Sequence, residues 1–504
     1  MKFPKFLITL SLFGILFTSC EKDNEFPQDN RAETSEETSE NPETNSLEAE
    51  DIEVEEFIYS GMNDIYLYKA DIPQLADDYF SSDTEEAGFL RNYGSPEDLF
   101  EDLTSSQDRF SFLTDDYISL EESFEGISSS TAGMDFGLGS ISGTNNIFAF
   151  LRYVVPNTAA DEAGLSRGTV FTEINGKKLT INNISDLLDL DSFTINVGRI
   201  ENGTIIMTDE TATLNKNEYT ENPVYISKTL EIDLEKIGYL MYNSFIGDFD
   251  DELNAAFADF KAEGVTNLVL DLRYNGGGSV ESAVDLASMI TGQFEGEVFM
   301  KEQWNEEYQS YFEAQQAESL INRFDSRIRT QEAINSLNLS KVYVITSAST
   351  ASASELVING LEPYIDVVQI GETTTGKFQA SVTLYDSPDY SRENASENHT
   401  YAIQPLVFKS ANADGKSDYL DGLEPDIKLS EDLNNFGNLG EASEPLLEAA
   451  INNILGRAQV MKKGEASMKA GKNFITVGES GMNKPNYQRM YIDQLPALID
   501  RESK

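Results

Sequence analysis

What this sequence lacks narrows it before any motif is read. Its 504 residues hold one Cys, one His and one Trp. A single cysteine forms no intramolecular disulfide, no Cys-x-x-Cys redox pair and no cysteine-rich zinc site. A single histidine cannot supply the two or three imidazoles of a catalytic zinc, nor a His-x-x-x-His pair on a helix. No metal and no other cofactor is therefore expected. Basic residues are scarce too: 36 Lys+Arg stand against 88 Asp+Glu, a formal net charge of −52. That charge repels phosphate backbones, so nucleic acid is not an expected partner, and it disfavours anionic membrane surfaces. A hydrolase of this composition has to move protons with Lys, Asp or Glu.

The only long hydrophobic run is at the start. Lys2 and Lys5 precede the apolar stretch Phe6–Phe17, which is too short for a spanning helix and suits a secretory signal. It ends in Phe17-Thr18-Ser19-Cys20, and small residues before a lone Cys resemble a bacterial lipoprotein signal. Phe17 departs from the Leu usual three places before that Cys. The resemblance implies a lipid on Cys20 and a place in the bacterial cell envelope, expected at the outer membrane and attached by the lipid anchor only. Residues 21–50 contain eleven acids and almost no large apolar side chain. Such a stretch cannot bury enough surface to offset chain entropy, and reads as a disordered tether. Residues 457–504 carry nine Lys/Arg and five Asp/Glu, so this tail is expected to pack back on an acidic body.

Between the ends, the pattern changes twice. Residues 51–128 space their apolar side chains as helices do, over Val54–Tyr68, Ser95–Ser105 and Thr114–Phe124. Residues 129–220 place Phe136-Gly137-Leu138-Gly139 before a strand-like Ile147–Val155. A short helix, a β-rich run and an Asn175-Gly176 hairpin turn follow. This order resembles a PDZ domain of the bacterial protease-associated kind. The resemblance implies capture of C-terminal peptides by strand addition, with Phe136–Gly139 as the carboxylate-binding loop. Residues 225–456 alternate strands and helices: strands at Lys236–Phe245, Asn267–Arg273, Lys341–Thr346 and Val367–Ile370, helices at Asp248–Glu263, Val280–Thr291 and from about Ala351. The apolar strands predict an α/β fold with a partly parallel sheet. Residues 296–340, rich in Glu, Gln and aromatics, read as an inserted helical excursion.

Three stretches of that block could carry chemistry. In Thr346–Glu355 (TSASTASASE) a buried strand runs into small residues and then a helix, where free N–H groups favour a developing negative charge. In Gly371–Lys377 (GETTTGK) a lysine follows a strand and a flexible turn; buried, it would lose its proton readily and serve as a base. In Asp271–Gly278 (DLRYNGGG) three glycines after a strand let backbone approach a ligand closely. Each alone has a bland reading: a helix cap, a surface lysine, a tight turn.

Together the three resemble the carboxyl-terminal processing proteases, also called tail-specific proteases. Asp271–Gly278 matches that family's Asp-Leu-Arg-x-Asn-x-Gly-Gly strand end. Ser352-Ala353-Ser354-Glu355 matches its nucleophile motif, and Gly371–Lys377 its lysine motif, 25 residues on from Ser352. Asp421–Asp426 and Glu444-Pro445-Leu446-Leu447 resemble its closing segment, and Asp108-Arg109-Phe110-Ser111 the end of its N-terminal domain. The likeness covers about residues 50–456. It implies an α/β multidomain protein: a helical N-terminal domain (51–128), a PDZ-like domain (129–220) and a crotonase-like or ClpP-like peptidase core (225–456). It implies Ser352 as nucleophile, Lys377 as base, and N–H groups of Ala353 and of Gly277 or Gly278 as oxyanion donors. The implied partners are protein or peptide substrates, held by their C-termini. Many members place a glutamine four residues past the lysine. Here that position is Ser381 and the nearby glutamine is Gln379, so either, or another residue, orients Lys377. His399 lies downstream of both and is expected to be a surface bystander. The rival expectations are a catalytically silent peptide-binding scaffold and, on the anchor and aromatic content alone, a glycan-binding lipoprotein.

Overall fold

In a computed structural model the described residues are 52–141, 143–457 and 474–496. The signal-like segment, Cys20, the tether 21–50 and much of the basic tail lie outside them. Among the described residues no helix is long and apolar enough to cross a membrane.

The N-terminal part is helical, at Glu53–Ile65, Asp83–Leu90, Pro96–Asp102 and Tyr117–Phe124. The Ser95 hydroxyl accepts the Asp98 N–H and Pro96 occupies the first turn, a start the sequence announces. Asp83–Leu90 was not expected; it buries only Leu90, too little apolar surface to make a period.

The next part is β-rich. Strand β1 (Met134–Ile141) pairs antiparallel with β2 (Ile147–Val154) in a curled sheet. Asn175 and Gly176, both at positive φ, make the expected hairpin turn between Glu173–Ile174 and Lys177–Lys178. Phe136–Gly139 is not a loop, however, but lies in the middle of β1. Its glycines have a packing reason. A Cβ on Gly137 would lie 2.3 Å from the Phe150 ring, and one on Gly139 2.4 Å from the Phe148 ring. Phe136 and Leu138, on the opposite face, enter the domain core with Leu151 and Phe171.

The last part is α/β. In chain order it contains β3 (Val224–Ile232), β4 (Glu235–Tyr242), helix α1 (Asp250–Glu263), β5 (Asn267–Asp271), β6 (Gly278–Ser279), α2 (Val280–Thr291) and β7 (Val298–Trp304). Then come β8 (Lys341–Thr346), α3 (Ala353–Leu361), β9 (Asp366–Gly371), β10 (Gln379–Val382), β11 (Leu406–Asn412), β12 (Ile427–Lys428) and α4 (Pro445–Ile454). Two strands of the C-terminal stretch, β13 (Phe474–Glu479) and β14 (Met490–Ile492), complete the order. One sheet runs β3-β4-β5-β8-β9-β12, parallel from β4 onward with β3 antiparallel at its edge. Continuous apolar strands such as β5 and β8 fit this sheet because both faces are covered. A second sheet runs β6-β14-β10-β11-β7 and ends at Ile321–Arg323. Residues 296–340 are thus only partly helical, at Glu306–Gln315. Their first element, β7, is a strand in which Phe299, Met300 and Trp304 are buried, and the polar composition hid that burial.

The C-terminal stretch is integrated into the body. Its β13 joins the free edge of β1, and its β14 lies between β6 and β10.

Candidate active site

Strands β5, β8 and β9 are neighbours in the parallel sheet, so the loops leaving their C-terminal ends converge. In open α/β sheets this is the side on which ligands bind. The loop after β5 holds Gly276–Gly278, the loop after β8 ends at Ser352, and the loop after β9 carries Lys377. The sheet order therefore brings together the three motifs read from the sequence.

Ser352 is wholly buried and caps the N-terminus of α3. Its backbone, φ 66° and ψ −119°, lies where a non-glycine residue carries about 1–3 kcal/mol of strain. Its Oγ faces the Glu355 N–H in the loose geometry of a capping box and makes no full hydrogen bond among the described residues. The N–H of Ala353 follows it in the first turn, where helix N–H groups lack intrahelical acceptors. Gly277 is packed against this turn: a Cβ there would lie 2.5 Å from the Ser352 Cβ and 3.0 Å from the Ala353 nitrogen. Only glycine fits, and φ values of 110° at Gly277 and 139° at Gly278 require it as well.

The Gly277 N–H is not available to an oxyanion, because it donates to Asn275 Oδ1 at 2.8 Å. Asn275 holds the loop in place; its side chain also donates to the Tyr242 carbonyl, and its carbonyl accepts from the Ala351 N–H and the Ser354 hydroxyl. Gly278 and Ala353 remain as candidate donors.

Lys377 is also wholly buried. Burial, with the Arg489 cation beside it, holds its amine well below the ordinary lysine range of 10.5. Its Nζ donates to the Gln488 carbonyl at 3.0 Å and lies 4.8 Å from the centre of the Phe110 ring. Arg109 donates to the Gly376 carbonyl at 3.2 Å, so the Asp108–Ser111 motif does abut the lysine loop.

The residue that joins nucleophile and base was in view in the sequence, but its task was not. Glu355, fully buried, accepts the N–H groups of Ser352 (2.8 Å), Gly376 (2.7 Å) and Lys377 (2.9 Å), and the Thr374 hydroxyl. One carboxylate thus fixes the β8 loop to the β9 loop. Burial raises its pKa, and these donors oppose the rise.

Neither expected orienter touches the lysine amine. Gln379 donates instead to the Tyr68 hydroxyl at 3.0 Å, and the Ser381 hydroxyl to Gln404 Oε1 at 2.7 Å. Both sit on β10, in the sheet beyond the loop that turns Lys377 toward Gln488. His399 is bonded to Asp386 (3.2 Å) and to the Tyr401 N–H (3.1 Å), and is half-buried rather than exposed.

Beneath the loops, Asp271 and Arg273 do structural work. The fully buried Arg273 guanidinium donates to Asp271, Glu431 and Glu444. Glu431 also accepts from Arg167 and Tyr274, which links the β-rich domain to the core. Burial would raise Glu431, but Arg167 and Arg273 hold it down to about 2. A cleft of about 270 Å³ lies between domain and core, bordered by Arg152, Tyr153, Asn243, Gly276, Gly277 and Gln488.

Two family models match: Peptidase S41 N-terminal domain over residues 53–112 and Peptidase family S41 over residues 236–429. The chain is 27% identical to a carboxyl-terminal-processing protease of Picosynechococcus sp. over 36% of its own length and 38% of the relative's. It is 23% identical to a protein of Staphylococcus aureus named "Probable CtpA-like serine protease", over 52% of this chain and 48% of that one. The chain thus spans less than half the length of these curated relatives. Among solved structures, one from Bacteroides fragilis named for the S41 proteases aligns with a TM-score of 0.61 and 28% identity, over 79% of this chain and 97% of that one. Fold, motif geometry and the two matched models agree: the chain belongs to peptidase family S41.

Proposed function

We propose that this chain is a serine endopeptidase of the C-terminal processing type, with Ser352 as nucleophile and Lys377 as base. The observation that carries the reading is a strained, buried serine at a helix start tied through Glu355 to a wholly buried lysine. A neutral Lys377 takes the proton of Ser352 Oγ as that oxygen attacks a peptide carbonyl carbon. The N–H groups of Ala353 and Gly278 receive the oxyanion. The C–N bond then breaks, Lys377 returns the proton to the leaving amine, and water hydrolyses the ester. The β-rich domain acts as a PDZ-like module that takes a substrate's C-terminal segment along β1. The substrates are cell-envelope proteins, and the enzyme is held at that envelope by a lipid on Cys20.

Replacing Ser352 or Lys377 by Ala is expected to slow cleavage of a partly unfolded protein by at least about 10²–10⁴-fold. Wild-type rates from both variants would refute the mechanism. Because the Lys377 amine is held low, kcat/KM should rise with pH and level off well below 10.5. A profile still climbing at the ordinary lysine value would show that Lys377 is not the base.

One observation favours the scaffold reading, in which peptides are held without turnover: the Lys377 amine is bonded to Gln488, not to Ser352. A fluorophosphonate probe separates the two. Labelling that maps to Ser352 supports the enzyme.

A further inference from the structure

The carbonyl that accepts the Lys377 amine, and the carbonyl that closes on Gly277 beside Ser352, belong to the chain's own C-terminal stretch. Strand β14 runs parallel to β6 on one side (Gly278 with Met490, Ser279 with Tyr491) and to β10 on the other (Ser381 with Tyr491, Val382 with Ile492). It fills the gap between β6, which follows the glycine loop, and β10, which begins two residues past Lys377, as an added strand does in peptide recognition. Just before it, the Gln488 carbonyl takes the Lys377 amine at 3.0 Å, and the Gln488 amide donates to Thr375 Oγ1 at 3.2 Å. A Cβ on Gly277 would lie 2.4 Å from the Arg489 carbonyl oxygen and 2.5 Å from the Ser352 Cβ, so that carbonyl and the serine share one side of the glycine. Arg489 sends its guanidinium to the Phe110 carbonyl and over the Phe112 ring at 4.0 Å. Upstream, β13 fills the outer edge of β1, pairing Thr476 with Gly139 and Glu479 with Gly137. There Glu479 accepts from Arg152, Ser349 and Tyr487.

We infer that residues 474–492 are a resident pseudosubstrate, which occupies the strand-accepting edge of the β-rich domain and the peptidase cleft together and must leave before a substrate enters. The inference rests on the peptidase reading above. The segment lies in the site as a peptide would, yet it is held, not cut. The amine that should face Ser352 Oγ is engaged by Gln488, and the serine hydroxyl makes no full hydrogen bond among the described residues. Displacing the segment frees the base, the nucleophile and the edge of β1 at once. That couples capture of a substrate's end to the opening of the site.

The test uses the full chain and fluorescently labelled casein. Glu479→Lys sets a cation against Arg152 and should free the segment, raising turnover at least tenfold over wild type. In the double variant Val382→Cys, Ile492→Cys, the new cysteines replace register partners on adjacent strands, within disulfide reach. Oxidised, it should cleave at least tenfold more slowly than after reduction, and Ser352 should resist the fluorophosphonate until the disulfide is reduced. Equal rates in both redox forms, with Ser352→Ala inactive, would overturn the pseudosubstrate and leave the peptidase reading standing. Intact casein and an unlabelled Ser352 in both Glu479→Lys and the reduced protein would overturn the peptidase reading, and the inference with it.

Discussion

At β1 the C-terminal stretch meets one strand; between β6 and β10 it meets two. The first contact is antiparallel and has five register pairs, with a shift between Thr476 and Gly478. The second is parallel and short, with two pairs on each side. Their side chains differ in the opposite sense. Phe474 on β13 is half-buried, whereas Met490 is fully buried and Tyr491 stacks on Phe124 at 4.1 Å between ring centres. Backbone pairing and one anchored carboxylate therefore dominate the hold at β1, and side-chain burial dominates it in the cleft. A strand held by two pairs a side can be exchanged for another strand if its buried side chains are matched. A peptide competing for the cleft must then supply apolar contacts, while one competing for β1 needs mainly an extended backbone.

The largest effect should come from the walls of the cleft. Glu355→Ala leaves three N–H groups and a hydroxyl without their acceptor in a fully buried place. At about 1–3 kcal/mol per unsatisfied buried group, a loss of at least about 4 kcal/mol is expected in denaturant unfolding, together with loss of Ser352 labelling. At β1 the corresponding tie is Glu479, whose three donors are all side chains, whereas Glu355 holds backbone N–H groups of both loops; a change of under about 1 kcal/mol would mean that the cleft is not the more rigid of the two sites. Next is Met490→Ala, which empties a fully enclosed position and should cost about 2–5 kcal/mol.

A carboxylate shared by the β-rich domain and the core keeps the two edges in line. Glu431 joins Arg167 of the β-rich domain to Arg273 of the core. A carboxyl held below its unfolded value stabilises the fold above that value, and the stability is lost as pH falls toward the folded one. From 4.5 to about 2, at about 1.4 kcal/mol per unit, this is about 3 kcal/mol, full above pH 4.5 and gone near pH 2. The stability gap between wild type and Glu431→Gln should close over that window. A gap independent of pH would mean that the Glu431 charge does not join the domains.

The two edges also differ in how far the sequence revealed them. The cleft's walls were legible because backbone demands leave clear letters. Glycines at 277 and 278 answer close approach and positive φ, and motifs at the ends of three neighbouring parallel strands must meet. The strand inside the cleft was not legible, since three residues are too few to show a period and their partners lie more than a hundred positions away. At β1 the letters misled. Phe136-Gly137-Leu138-Gly139 fits a carboxylate loop, yet here the same glycines make room for Phe148 and Phe150. Gln379 misled by proximity: it is two residues past Lys377, but its amide serves Tyr68.

The smallest effect tests the edge directly. Phe474 packs edge-to-face on Phe148 at 4.7 Å, within a small cluster that includes Phe150 and Phe436. The two rings meet across the intervening β1; an aromatic pair contributes about 0.5–1.5 kcal/mol beyond its buried area, so Phe474→Ala should cost about 1 kcal/mol. If the stretch leaves as one piece, hydrogen exchange should rise along β13 and β14 together, and a peptide arriving at β1 opens the cleft without touching it. Exchange that rises along β13 while β14 keeps its protection would show that the two ladders open separately and that capture at β1 is not coupled to the cleft.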